Sequence, residues 1–219
     1  MKEGRAVVLV IDGGGVGASE DAARFGDGSA VNTLGNTAAA AGGLKLPNLQ
    51  RLGVGWLLAM EGVEHCAHPQ AQVARLREAS NGKDSVTGHW EMMGITVQNA
   101  FPTYPNGFPR DVIDRFEACI GCKVLGNTVA SGTEIIERLG PEHMKTGFPI
   151  VYTSADSVFQ VATHEEVVPL TRLWDWCEQA RALLVPPHRV NRVIARPFLG
   201  KPGAFVRTAG RRDYAVAPP

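Results

Sequence analysis

The chain has no excess of charge, no long hydrophobic run and few cysteines. Lysine plus arginine number 22 and aspartate plus glutamate number 22, so the net charge is zero. A balance of that kind gives neither the basic footprint of a nucleic-acid binder nor a polybasic membrane patch. The longest early apolar stretch, Ala6 to Ile11, is too short for a signal-peptide core or a membrane span. The four cysteines, Cys66, Cys119, Cys122 and Cys177, suit reduced thiols in a cytoplasmic protein rather than a disulfide framework. Cys119 and Cys122 form a CxxC, but no second ligand pair follows to close a zinc site. Internal repeats and low-complexity segments are absent as well.

What is present is an ordinary globular composition, 44% hydrophobic and 20% charged, in 219 residues. That length suits one large domain or two small ones. Residues 6–11 are continuous and mostly β-branched, the pattern of a strand buried on both faces in a parallel sheet. A glycine-rich stretch follows, with a helix opening at Pro47 and a weaker helical pattern over residues 73–79. Asn81 to Gly94 is polar. Three prolines between Phe101 and Pro109 suit a hinge.

Beyond that hinge the elements come regularly. An amphipathic helix is expected over residues 110–120, with Val112, Ile113, Phe116 and Ile120 on one side. Strands are expected over 123–125, 150–152 and 190–195, and a helix over 170–184. Ser131-Gly-Thr-Glu134 reads as a capping box opening a helix that ends at Gly140. Arg207 and Tyr214 to Val216 suit a closing hairpin. These elements imply a compact α+β module separate from the first 97 residues.

Two segments can carry chemistry. Asp12 closes the first strand, where open α/β sheets place their ligands, and it suits a metal or a phosphate-bearing group. The run Gly13 to Ala18 also fits a dinucleotide-binding loop, which would make the protein an NAD-dependent oxidoreductase. Little helix can form before Gly26, however, and no acidic strand end follows to bind a ribose. The second segment, Asn81 to Glu91, packs Ser85, Thr87, Lys83, His89 and two carboxylates between glycines. A hydroxyl becomes a useful nucleophile there once a metal or base activates it. On composition alone the segment equally suits a solvated loop.

Asp12 after a hydrophobic strand, Phe25-Gly-Asp27, Asn32-Thr-Leu-Gly35 and Gly82-Lys-Asp-Ser-Val-Thr-Gly-His-Trp-Glu91 resemble the phosphopentomutases. These are alkaline-phosphatase-superfamily isomerases that interconvert pentose 1- and 5-phosphates. The resemblance continues, in order, through Ala130–Glu134, His143–Gly147, Val151–Val158, His164–Glu166, Arg192–Pro197 and Arg211–Tyr214. It implies an α/β fold class: part of an alkaline-phosphatase-like α/β/α core over residues 1–97, and an inserted α+β cap over 98–217.

The resemblance assigns Ser85 as the phosphorylated hydroxyl, where the family usually has threonine. Asp12 and Ser85 would be ligands of a two-manganese site. Ser154, Asp156 and Val158 would face the pentose, and Arg196 would lie in the phosphate-binding region. Arg207 and Arg211 would be its neighbours, a role that solvated surface arginines match equally well. The implied partners are small-molecule pentose phosphates, with neither nucleic acid nor membrane. Two departures stand out. Gly13–Gly15 replaces a bulkier family run, and family members are nearly twice as long, with further metal ligands in a C-terminal core half needed for a full site. A phosphoglycerate mutase or a plain phosphatase is the rival within the superfamily.

Overall fold

A computed structural model describes residues 4–11 and 13–218. The chain divides into two compact units, Met1–Glu78 and Ala79–Pro219. The class is mixed α/β.

The first unit holds two short α-helices, α1 (Thr33–Ala41) and α2 (Pro47–Leu52), with single 3-10 turns at Ala22–Phe25 and Val54–Trp56. Asn32 begins α1 by accepting from the Gly35 amide at 3.1 Å, satisfying a donor the helix cannot. Its small core gathers Ala38, Met60 and Val63, with Leu34, Leu44, Leu46, Val54 and Leu58 packed around them. The Arg77–Glu20 ion pair (2.9 Å) and the bond from Arg75 to the Ala18 carbonyl (3.3 Å) tie residues 75–77 to 18–20.

Residues 6–11 are not a strand, contrary to the expectation from their pattern. A strand is held by a hydrogen-bonded neighbour, and none pairs with them among the described residues. Val7 and Leu9 are accordingly 88% and 86% exposed. Residues 73–79 are likewise not helical. Among the described residues the Gly13–Ala18 run has neither a strand before it nor an α-helix directly after it, so the dinucleotide template lacks both its structural supports there.

The second unit is a six-stranded mixed sheet with helices on both faces. Its elements are α3 (Ser85–Met92), α4 (Arg110–Ile120), β1 (Leu125–Val129), α5 (Gly132–Thr146), β2 (Ile150–Thr153) and β3 (Val158–His164). They continue with α6 (Leu170–Leu183), β4 (Arg192–Leu199), β5 (Val206–Arg207) and β6 (Arg212–Ala215). The order is β1-β2-β3-β4, with β1/β2 and β3/β4 parallel and β2/β3 antiparallel. β5 and β6 share the outer edge of β4 head to tail, both antiparallel to it.

Strand alternation sorts the side chains. Phe159 and Val161 of β3, with Val193 and Ala195 of β4, point to one face. There α4 (Val112, Ile113, Phe116, Ile120) and α6 (Leu173, Trp176, Cys177, Ala180) cover them. Each buried Val, Leu, Ile or Phe among them contributes about 1.5–3 kcal/mol. The opposite face is covered by α5 over part of its area: Ile135 and Ile136 meet Ile150, Tyr152, Ala162 and Phe198.

Several local expectations shift. α5 continues through Gly140 and Pro141 to Thr146. Gly140 leaves room for the Phe205 ring, which a Cβ would meet at 2.6 Å, and Glu137 accepts from the Gly203 and Phe205 amides at 2.9 and 3.0 Å. That packing outweighs the backbone bond lost at Pro141. Ser131 makes no side-chain cap bond, so the expected capping box is not formed. β1 begins at Leu125, β4 runs to Leu199, and β5 and β6 each pair with β4 rather than with each other. β3 was not expected at all, because its unbroken burial hides the period of two.

Candidate functional site

Of the residues the sequence singles out, Asp12 lies outside the described residues. Ser85 is exposed and is the first residue of α3. The helix begins there because Asp84 caps it, accepting from the Thr87 amide at 2.9 Å and the Thr87 hydroxyl at 2.7 Å. Asp84 also accepts a short hydrogen bond from the Asn191 amide. Glu91, at the other end of α3, accepts from the Ala79 and Ser80 amides, both at 2.7 Å. Its bonds to the Ser80 side chain and to the Ala79 and Ser80 backbone hold its carboxyl below the usual range.

Ser154 and Asp156 lie in the loop between β2 and β3, both partly buried. Ser154 Oγ accepts weakly from the Asp156 amide at 3.4 Å. Ser157 anchors the loop, donating to the Pro102 carbonyl at 2.5 Å and accepting from the Asn191 amide at 3.2 Å. Val158 opens β3 opposite Arg192 of β4 and is 2% exposed, so its side chain packs beneath the loop. Asn191 thus contacts both the cap of α3 and the Ser154–Val158 loop.

The sheet face that α5 leaves partly open carries the polar groups. Gln160, Arg192, Arg196 and Asp213 share it by strand parity, and Arg207 pairs opposite Phe198. Arg196 Nε donates to Gln160 Oε1 at 3.0 Å. Arg211 binds Asp213 through Nε and Nη2, each at 2.7 Å, and Arg192 reaches the same carboxylate at 3.3 Å. Burial alone would raise the Asp213 carboxyl. The Arg211 hydrogen bonds, with the charges of Arg211, Arg192 and Arg196, outweigh it and hold the group below its ordinary range. Burial, with the nearby charges of Arg211 and Arg207, lowers the Arg196 guanidinium despite the opposing influence of Tyr152. Three arginines, Arg192, Arg196 and Arg211, act on this one carboxylate, an arrangement suited to an anionic ligand.

The structure therefore gathers Arg196, Arg207 and Arg211 around Tyr152 and hangs the Ser154–Val158 loop from the start of β4. Sequence reasoning missed Tyr152, Gln160 and Arg192. Arg192 and Arg196 are an even number of residues apart, which in a strand means one face, so that signal was available.

The Cys119–Cys122 pair is not bonded; all four cysteines are free, as expected. No group of three or more histidine, cysteine, aspartate or glutamate side chains able to hold a metal occurs among the described residues. None of the described helices is long and apolar enough to cross a membrane.

The chain is 57% identical over 215 residues to a phosphopentomutase of Clostridium novyi (strain NT), covering 98% of this chain and 55% of that protein. It is homologous to the phosphopentomutases. The similarity repeats at 53% identity over 214 residues with a phosphopentomutase of Clostridium acetobutylicum, and at 54% over 215 residues with one of Desulfitobacterium hafniense (strain DSM 10664 / DCB-2). Each match covers 98% of this chain and 55% of the relative. The chain thus spans about half the length of the phosphopentomutases it matches. No protein-family model matches it. The resemblance read from Gly82–Glu91 and the later blocks is borne out by these phosphopentomutases.

Proposed function

We propose that these residues are the phosphoryl-accepting segment and the substrate-reading cap of a phosphopentomutase, a soluble cytoplasmic isomerase. It would interconvert ribose 1-phosphate, or its 2-deoxy analogue, with the 5-phosphate. The observation that carries this reading is identity of 53–57% over 98% of the chain with phosphopentomutases. The arginine-rich face supports it, since a sugar phosphate supplies the anion those guanidiniums lack. The division of roles after residue 97, core before and cap after, belongs to the same proposal.

In this reading Ser85 carries the phosphoryl group. Its place at the N-terminus of α3 suits that state, because the positive end of a helix favours a phosphate there. The free hydroxyl of a pentose 1-phosphate forms its bond to phosphorus as the bond to Ser85 Oγ breaks, giving a pentose 1,5-bisphosphate. The proton of that hydroxyl ends on the departing Ser85 Oγ, which is left as a neutral hydroxyl. The bisphosphate turns over, and its other phosphoryl group returns to Ser85 Oγ, leaving the isomeric monophosphate. Arg196, Arg207 and Arg211 hold the phosphate that is not moving. Ser154 and Asp156 face the sugar, with Val158 packed beneath them. Excluding water around the phosphoserine suppresses its hydrolysis.

The resemblance implies manganese, which would activate the serine oxygen and neutralise phosphoryl charge. The described residues do not fit a complete site, since they contain no cluster of three candidate ligands. Ser85 offers one oxygen, and the other donors would come from Asp12 and from the part of the relatives that this chain does not span. No step above is routed through the metal.

The test is transfer of label. Incubated with a pentose 1,5-bisphosphate labelled in its phosphates, the protein is expected to acquire label on Ser85, and the Ser85→Ala variant none. Label absent from Ser85 in protein extended to the length of its relatives overturns the proposal. Comparing manganese binding and turnover between this chain and the extended one locates the missing ligands.

A further inference from the structure

We propose that the hydroxyl of Tyr152 and the first turn of α5 together form the seat of the phosphate group that the pentose keeps during transfer. Gly132 is the residue that lets the donors converge there. This inference deepens the proposed function and rests on it.

Tyr152 is 1% exposed, and its hydroxyl has no hydrogen-bond partner. A buried hydroxyl without a partner is costly, so a fold that retains one favours a ligand able to complete it. The character of that ligand follows from the neighbours. The charged groups acting on the phenol are Arg196, Arg207 and Arg211, all donors. Something that must accept from the phenol while lying beside three guanidiniums is an anion. Burial raises the Tyr152 phenol above its ordinary value, against the opposing pull of those arginines. It therefore stays protonated at neutral pH and donates.

The helix end supplies the remaining donors. α5 runs for 15 residues from Gly132, and its first intrahelical bond joins the Ile135 amide to the Ser131 carbonyl at 2.9 Å. The amides of Gly132, Thr133 and Glu134 have no intrahelical acceptor, and the Ser131 side chain does not cap them. Such amides, at the positive end of a helix, are suited to phosphate. A Cβ at Gly132 would stand 2.6 Å from Tyr152 Oη and would overlap Arg207 Nη2. The phenol and the guanidinium therefore close onto the same turn of backbone, and any side chain at position 132 would drive them apart.

Tyr152→Phe is the discriminating variant, because it keeps the ring and its packing and deletes one oxygen. Calorimetric titration is run with ribose 5-phosphate, with inorganic phosphate and with unphosphorylated ribose. The wild-type protein is expected to bind both phosphates but not ribose. Tyr152→Phe should bind ribose 5-phosphate about tenfold more weakly, with a melting temperature equal to or above wild type. Gly132→Ala should weaken binding at least as much. Equal affinity of wild type and Tyr152→Phe overturns this inference and leaves the proposed function standing. No binding of ribose 5-phosphate by wild-type protein extended to the length of its relatives overturns both.

Discussion

The side-chain amide of Asn191 donates to Oδ1 of Asp84, so the residue that caps α3 in front of Ser85 is held by the residue that precedes β4. Asn191 is 1% exposed, and Asp84 also serves the amide and hydroxyl of Thr87. Asp84→Ala removes the acceptor for all three and is expected to destabilise by about 1–3 kcal/mol. Asp84→Asn keeps a side-chain oxygen for the Thr87 amide and should lose less. Urea unfolding of both variants checks the order. An Asp84→Ala midpoint equal to wild type would mean that the cap does not hold α3.

The buried His143 gives a pH dependence. His143 Nδ1 lies 2.7 Å from the Phe148 carbonyl, and Nε2 accepts from the His164 amide at 2.8 Å. That pattern requires a proton on Nδ1 and none on Nε2, which is the neutral ring. Burial, with the nearby charge of His164, lowers the His143 pKa despite its bond to the Phe148 carbonyl. An unfolded chain therefore binds the proton more readily than the folded one. The stability from the neutral ring is complete above the ordinary histidine value of about 6.5. It declines as the pH falls from there toward the lowered folded value. Urea midpoints measured from pH 8 to pH 5 should fall over that window in the wild-type protein, and less steeply in His143→Gln.

Phe159 sits between Phe108 (ring centroids 4.8 Å apart) and Phe116 (5.1 Å) in the core beneath α4 and α6. Phe159→Ala should cost about 3–5 kcal/mol, through lost burial and the cavity left behind. Guanidinium denaturation measures it directly. A loss under about 1 kcal/mol would show that the site collapses around the smaller side chain.

Thiol labelling should follow burial. Cys177 is fully buried, and burial pushes its thiol far above the ordinary range. Cys122 is raised for the same reason, though less. Cys119 is exposed. With an aromatic disulfide reagent at neutral pH, Cys119 should react at once and Cys177 only on unfolding. Rapid modification of Cys177 in native protein would contradict its place between α6 and the sheet.

Much of the second unit was legible because its helices are amphipathic. Val112, Ile113, Phe116 and Ile120 announce α4 by spacing alone. β3 escaped because all of Val158–His164 is buried and shows no alternation. Residues 6–11 failed the opposite way: a pattern suited to a buried strand describes what the segment can become, and pairing requires a neighbour that the described residues do not provide. Within the candidate site, Arg196, Arg207, Arg211 and the Ser154–Val158 loop were reachable through the resemblance. Tyr152 and Gly132 were not. An orphaned hydroxyl and a close approach to backbone exist only once α5 is docked against β2.

The alternation along β4 has a consequence for how such a protein can change. Arg192, Ile194 and Arg196 look toward the open face, while Val193 and Ala195 look into the core under α6. Neighbouring positions in one strand thus answer to separate demands. Under the proposed function, replacing Arg192 or Arg196 would alter the anion-binding face while Val193 and Ala195 keep their hydrophobic partners. A change at Arg192 or Arg196 is therefore felt by the polar face, through Asp213 and Gln160, and a change at Val193 or Ala195 by the core.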